Sequence, residues 1–521
     1  MFKFNKKILI FIFFAFNFCK HINANINGLE NINSDTTCDW SAIQKKYKNA
    51  VVQIFADVAF FNWSNPAAEC KYESRLFGSG FLIKFNDQFY IITNFHVIGS
   101  GEKCILNVQL PCVGKERFEV EIVGCHADKD IAILRLTEES LKNLKSYFKD
   151  AFGSEELPYL NLGESIKCAS GTSVAGMGFP LGQENFKISP GEVSGHQSIE
   201  NHYYIQTTLP VNSGNSGGPV VDCNGNVVGI IQSNIPNAQN IGYFIPINLV
   251  KNIIYGFINN EFKNKVLRDP FWGCSFCNTT KDTLNYLGNP DDGGVYVEKV
   301  LKNSVFEKSG ICQGDVLYQV NNTRIDKYGY VNVDWCEDKI SLYELLNSFN
   351  IGFCLVIYRN GKRLERDIEI KEEDRFVIDK EYPQFKEPDY INVGGMVLME
   401  LRLNYLMLLK SVIKVLVKKY NIFMLYDILK YSNAKNLNKS KVVIAHLNSG
   451  SAIEKLRSFE LADILEKLNG VSINTLQDVK YALSLAKDSG YLAIETKSGS
   501  FAVVKMTDIK IEYSKNLDKI E

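Results

Sequence analysis

The sequence is short of several things, and each shortage narrows the field. Lys and Arg number 58 against 59 Asp and Glu, a net charge of −1, and no stretch concentrates the basic residues. The electrostatic footprint of a nucleic-acid binder is therefore missing. No glycine loop of the phosphate-cradling kind occurs, so no nucleotide is implied. The 13 cysteines are thinly spread over 521 residues, which is no dense disulfide scaffold. Cys274 and Cys277 form a CSFC spacing, but no second ligand pair accompanies it. The sequence thus calls for no metal and no cofactor, and CSFC reads as a local disulfide or as nothing chemical. Beyond the N-terminus no apolar run reads as a membrane span. Histidine is scarce too, with 6 in all, which makes a search for a catalytic base tractable.

The N-terminus carries a signal. Lys3, Lys6 and Lys7 precede the apolar run ILIFIFFAFNF (residues 8–18), and Ala24 offers a small residue for cleavage. A basic start followed by an apolar stretch too short to span a bilayer is the layout of an export signal, residues 1–24. The mature chain is expected in a secreted or periplasmic compartment. Cys19 suggests a lipoprotein site, but the bulky Phe18 before it fits poorly. Removing Cys19 leaves twelve cysteines, some of which an oxidising compartment would pair.

The chain is too long for one core, and about three domains are expected. From residue 50 to 247, short apolar strands such as AVVQIF (50–55), GSGFLIKF (78–85), FYIITNF (89–95) and VVGIIQS (227–233) alternate with Gly, Pro and Asn. Many short strands with turn signals between them indicate an all-β barrel or sandwich. NLVKNIIYGFINNEFKN (248–264) has helical spacing and closes a first domain at residues 40–265. A strand-rich second unit follows at 266–369. Residues 370–390 are charged and aperiodic, and read as a loose linker. A third unit takes residues 391–513. GDVLYQVNNTRI (314–325) and ADILEKLNGVSI (462–473) run in parallel, so these two units read as copies of one module.

TLPVNSGNSGGPVVD (208–222) crowds three glycines and a proline around Ser216. A serine hydroxyl becomes a nucleophile only with a base beside it, a group orienting that base, and donors for an oxyanion. Gly214, Asn215 and Ser216, in a tight turn, can supply the oxyanion donors through backbone N–H groups. His96, at the end of the strand IITNF, is the preferred base, and His126 is its rival. Asp130, just before the buried run IAILRL, is the preferred orienting acid, with Asp128 as the fallback.

The set TNFHV (93–97), DIAIL (130–134) and GNSGGP (214–219) resembles the HtrA/Deg serine proteases, as do GSGFLI (78–83), GMGFPLG (176–182), SPGEVSG (189–195) and IGYFIPINLV (241–250). The His, Asp, Ser chain order agrees with chymotrypsin-type enzymes. The resemblance implies a mainly β fold: a chymotrypsin-type double β-barrel followed by two α+β PDZ-like domains. By the same resemblance His96 is general base, Asp130 orients it and Ser216 attacks a peptide carbonyl. Asn94, Phe95 and Ser213 depart from the family's usual residues. The specificity pocket is expected from Leu209, Pro210, Val211, Asn212, Ile230, Ile231 and Gln232. With no acid among them, cleavage should follow small or medium apolar residues.

Unfolded or misfolded proteins and peptides are then the expected substrates, without ATP. Residues 293–325 look like an HtrA-type PDZ domain, which would bind extended peptides by strand addition. Its candidate carboxylate loop, FWGCSF (271–276), lacks the usual signature. The third unit looks like a more divergent copy, as in the plant-type Deg branch. Its apolar insert (403–431) is expected to pack within the molecule or between subunits. Aromatics in FFNWSNP (60–66) imply a homotrimer by resemblance. Two other readings stay open: a PDZ-based chaperone or scaffold, and a processing protease for one dedicated partner.

Overall fold

The structure is a computed structural model that describes residues 38–517 apart from 71, 233–240, 260, 291, 337, 372–375 and 417–426. The expected export signal lies outside the described residues. The chain divides into Met1–Asp39 and Trp40–Glu521, and every element below belongs to the latter.

The first half forms two β-barrels. In the first, β1 (Val51–Ala59), β2 (Tyr72–Phe85), β3 (Gln88–Thr93), β4 (Lys103–Gln109), β5 (Phe118–His126) and β6 (Ile131–Leu136) pair in the order β5-β4-β1-β2-β3-β6. A further β5–β6 pairing closes the ring. The second is a closed barrel of β7 (Ser173–Gly178), β8 (Lys187–Ile199), β9 (His202–Thr207), β10 (Pro219–Val221), β11 (Val227–Gln232) and β12 (Gly242–Pro246), ordered β10-β11-β12-β9-β8-β7. The fold is mainly β, as the strand-and-turn rhythm of the sequence led one to expect, and its two barrels are the chymotrypsin-type double barrel that the resemblance implied. One apolar core runs between the barrels, joining Phe81, Ile92 and Ile131 of the first to Met177, Tyr204 and Ile230 of the second. The helix Ile247–Ile258 seals it with Val250, Ile253 and Ile254. Afterwards β13 (Val266–Leu267) returns to pair in parallel with β5, so the chain leaving the second barrel is stitched back onto the first.

Residues 274–369 build a sheet in which Cys274–Asn278, Val295–Val300, Val316–Val320, Gly352–Arg359 and Lys362–Glu369 lie in that order. Residues 390–513 build two four-stranded sheets. The parallel between GDVLYQVNNTRI and ADILEKLNGVSI extends to the backbone. Gly314 (φ 96°) and Ala462 (φ 68°) both take left-handed conformations, as do Asn321 (φ 49°) and Asn469 (φ 46°). Asn321 Oδ1 accepts the N–H of Cys354 at 2.9 Å, and Asn469 Oδ1 accepts that of Ala493 at 2.6 Å. In each copy the Asn turns a hairpin and ties it to a neighbouring strand. Asn tolerates positive φ for this purpose, whereas Ala462 adopts it against the usual preference of a residue with a Cβ.

Three local expectations meet different surroundings. The stretch 370–390, loose by composition, is held along residues 376–387. Ile378 is fully buried with Phe61 and Trp63, and Gln384 N–H donates to Gly101 O at 2.9 Å. Phe61 and Trp63 themselves pack inside the chain, against Tyr405, Leu406 and Leu409. Only Phe60 of that aromatic group remains about half exposed, so this loop spends most of its apolar surface within one chain. The latter three residues lie on the helix Leu403–Leu416, whose described side chains cover the loop; the insert's residues 417–426 lie outside the described residues. Finally, Cys274 and Cys277 are both free thiols. No helix among the described residues is long and apolar enough to cross a membrane.

Candidate active site

The site lies between the barrels and is assembled from three loops. The first follows β3. Thr93, fully buried, donates its hydroxyl to Ser79 O at 2.7 Å, which fixes the strand end. The chain then enters a single 3-10 turn, His96–Ile98, stopped by Gly99 at φ 88°. This turn lifts the His96 ring out of the sheet.

The second loop joins β5 to β6 and carries Asp130 in a left-handed conformation, φ 54°. A non-glycine residue stays there only when its surroundings determine it. Asn94 Nδ2 donates to Asp130 O at 2.9 Å. Asp130 Oδ1 accepts the backbone N–H of His96 at 2.8 Å, and Oδ2 sits 2.6 Å from His96 Nδ1. The carboxylate therefore grips the histidine twice. It fixes the backbone before the ring and selects the tautomer with the proton on Nδ1, leaving Nε2 able to accept one.

The third loop precedes β10. Its carbonyls are turned inward and tied down. Asn212 O accepts from Asn215 N–H at 3.0 Å, Ser213 O from Leu181 N–H at 2.6 Å, and Ser216 O from Ser79 N–H at 2.8 Å. Gly214 O takes the Ser79 hydroxyl at 2.7 Å. Gly214 has φ 93°, and a Cβ there would stand 2.4 Å from Phe179 O. No other residue fits that turn without moving it. Ser79 is a shared peg: buried, it bonds both the Gly214–Ser216 loop and Phe179 N–H, the latter at 3.0 Å. Asn215 N–H, expected with those of Gly214 and Ser216 to serve an oxyanion, is committed to Asn212 O.

His96 and Ser216 line one open cleft of about 500 Å³. Its walls are Leu76, Phe77, Val97 and Leu181, with Arg75 at the rim. None of Leu209, Pro210, Val211, Asn212, Ile230, Ile231 or Gln232 is among its lining residues. Leu209 and Ile231 point into the core of the second barrel, and Ile230 into the core shared by both barrels. Pro210 and Asn212 lie exposed beside them. The residues that do line the cleft include the apolar Leu76, Phe77, Val97 and Leu181. Leu181 (70% exposed, φ 57°) and Phe77 (43% exposed) carry no sequence signal that marks them as cleft residues.

The alternatives to His96 and Asp130 sit elsewhere. His126 is 1% exposed and faces Lys129 Nζ at 3.0 Å and Asp269 Oδ1 at 3.6 Å. Asp128 accepts Asp269 N–H at 2.8 Å. Asp269, just past β13, also pairs with Lys129 at 2.8 Å and His202 at 3.3 Å. This buried cluster props the Asp130 loop from behind, and its hub lies more than a hundred residues away in sequence, where spacing arguments do not reach.

The trypsin-like peptidase domain family matches residues 78–230. The serine protease Do-like HtrB of Bacillus subtilis is 29% identical over 262 residues, covering 47% of this chain and 52% of that protein. The probable periplasmic serine endoprotease DegP-like of Rickettsia prowazekii is 25% identical over 422 residues, covering 79% of this chain and 71% of that one. A solved HtrA-type protease, AlgW with a decapeptide, aligns at TM-score 0.45 and 20% identity over 63% of this chain and 97% of its own. The chain spans about half the length of the first of these curated relatives. The chain is therefore similar to proteins named as DegP-like and HtrA-type serine proteases, and its residues 78–230 match the trypsin-like peptidase domain family.

Proposed function

We propose that the chain is an exported serine endopeptidase that hydrolyses unfolded or misfolded proteins without ATP, after small or medium apolar residues. The observation that carries this reading is the double contact of Asp130 with His96 in a cleft shared with Ser216. In the proposed reaction His96 Nε2 takes the Ser216 hydroxyl proton as Oγ attacks the carbonyl carbon. Asp130 stabilises the imidazolium so formed. The developing oxyanion is received by the N–H groups of Gly214 and Ser216. His96 then returns the proton to the leaving amine, and water repeats the cycle on the acyl-enzyme.

Apolar walls at Leu76, Phe77 and Leu181 support the side-chain preference, because such residues are accessible mainly in unfolded chains. Residues 40–265 would form the protease domain, with PDZ-like domains at 266–369 and 391–513 binding peptide ends or mediating assembly. The printed names of several relatives favour a periplasmic setting. The test is hydrolysis of casein by the signal-free chain and its Ser216→Ala variant, with the products sequenced. Multiple cuts after apolar residues, absent in the variant, are expected. A single cut site in a panel of unfolded proteins would favour a dedicated processing enzyme. Suppression of aggregation without any cleavage would favour a scaffold.

A further inference from the structure

We infer that Tyr382 is a positioning residue for His96, and that residues 379–387 form a strap coupling the C-terminal sheets to the catalytic turn. The inference rests on the protease reading above. Phe95 immediately precedes His96 and is 4% exposed. Its ring meets the edge of Tyr382 at 5.5 Å between centroids and 82° between planes. That is an edge-to-face pair, a directional contact that resists rotation of either ring. A residue with a small side chain before the histidine would remove this ring partner from Tyr382, so the bulk of Phe95 and the position of Tyr382 explain one another.

The strap holds the far side of the catalytic turn as well. The loop leaving His96–Ile98 reaches Gly101 at φ 87°, where a Cβ would lie 2.4 Å from Tyr382 Cδ1. Glycine there lets the tyrosine lie flush on the backbone. Gln384 clamps the same loop, donating its N–H to Gly101 O at 2.9 Å and accepting Cys104 N–H on Oε1 at 2.9 Å. Lys103 and Glu387 pair at 2.8 Å. The Asp130 loop is reached through Arg268, which pairs with Asp379 and stands 5.9 Å from the Tyr382 ring and 3.6 Å from Asp128. His96 is thus flanked by the Phe95 ring on one side and the Gly101 backbone on the other, both touched by the strap, and its partner's loop is tied to the same strap.

The strap's other face belongs to the C-terminal region. Glu381 pairs with Arg402 at 3.0 Å and exchanges hydrogen bonds with Asn404, at 2.9 and 3.1 Å. Leu403 N–H donates to Asp379 O at 3.1 Å. These contacts seat the strap at the start of the helix Leu403–Leu416. A displacement of that helix therefore moves Tyr382, and through Phe95 the imidazole.

The experiment uses the signal-free full chain with Tyr382→Ala, Tyr382→Phe, Gln384→Ala and Phe95→Ala. Active enzyme is counted by fluorophosphonate uptake, and kcat and KM are read on a quenched fluorescent apolar peptide. A misplaced catalytic group costs up to roughly 10²-fold, so Tyr382→Ala should lower kcat between about tenfold and 10²-fold, with KM within about twofold. Tyr382→Phe should restore wild-type turnover, because the contact uses the ring and not the hydroxyl. Phe95→Ala combined with Tyr382→Ala should cost no more than the larger single change. Should Tyr382→Ala not fold, Gln384→Ala reads the same coupling, expected as a smaller fall in kcat. Folded variants with unchanged kcat, or with KM alone altered, overturn the inference while leaving the protease reading intact. A wild-type chain that neither cleaves peptide nor takes up the probe overturns both.

Discussion

Asp130 holds His96 by two bonds, its Oδ1 on the histidine's backbone N–H at 2.8 Å and its Oδ2 on the ring Nδ1 at 2.6 Å. The first bond sets where the ring is rooted, and the second sets which nitrogen keeps the proton. Asp130→Asn keeps the shape but offers its amide nitrogen to the ring or the backbone where an acceptor is needed. Turnover should fall by roughly 10³–10⁴-fold with little change in KM, as measured on a peptide substrate. An unchanged kcat would remove Asp130 from the proposed triad.

Gly214→Ala probes the proposed oxyanion site. With φ 93° and Phe179 O 2.4 Å from the built Cβ, an alanine must push the turn or the facing carbonyl aside. The expected cost is about 10²–10³-fold in kcat, the size of losing one donor. Thermal unfolding should show that the barrel itself persists.

Leu181 tests the wall. It is the most exposed large apolar side chain lining the cleft, at 70%. Leu181→Asp should lower kcat/KM for a peptide with an apolar residue before the scissile bond by roughly tenfold or more, and should leave fluorophosphonate uptake unchanged. An unaltered preference across a peptide library would place recognition elsewhere.

Much of this arrangement was legible in the residues, and the reason is local. Ser216 and Gly214 sit within a few positions of one another, so a turn motif records their geometry. Asp130 precedes a buried strand and His96 follows one by three residues, and strand ends are readable from hydrophobic runs. What escaped reading depends on contacts between distant segments. Tyr382 lies in a charged stretch with no periodicity, and nothing near it signals that Phe95 waits in the first barrel. Asp269 likewise gathers Lys129, His202 and His126 only after β13 folds back on β5. Ile231 was readable as apolar but not as facing inward, because β11 is buried on both faces and loses the alternation that distinguishes them.

Thiol chemistry gives an independent check of packing. Burial pushes the Cys104 and Cys274 thiols up to about 12, and the Cys112 and Cys168 thiols up to about 11. The thiolate is the reactive form, so these four should resist iodoacetamide near neutral pH. Raising the pH toward 11 should speed their alkylation. Cys312 is exposed and should be labelled first. Mass spectrometry of native and denatured protein decides the order, and fast native labelling of Cys104 or Cys274 would contradict the described cores.

The most telling measurement is covalent capture of the nucleophile. The signal-free chain, incubated with a fluorophosphonate and digested, should yield a single phosphonylated peptide modified at Ser216. His96→Ala, equally folded, should react at least about 10²-fold more slowly, because the base has gone. Labelling at another serine, or equal labelling with and without His96, would contradict a hydrolase built on Ser216, His96 and Asp130.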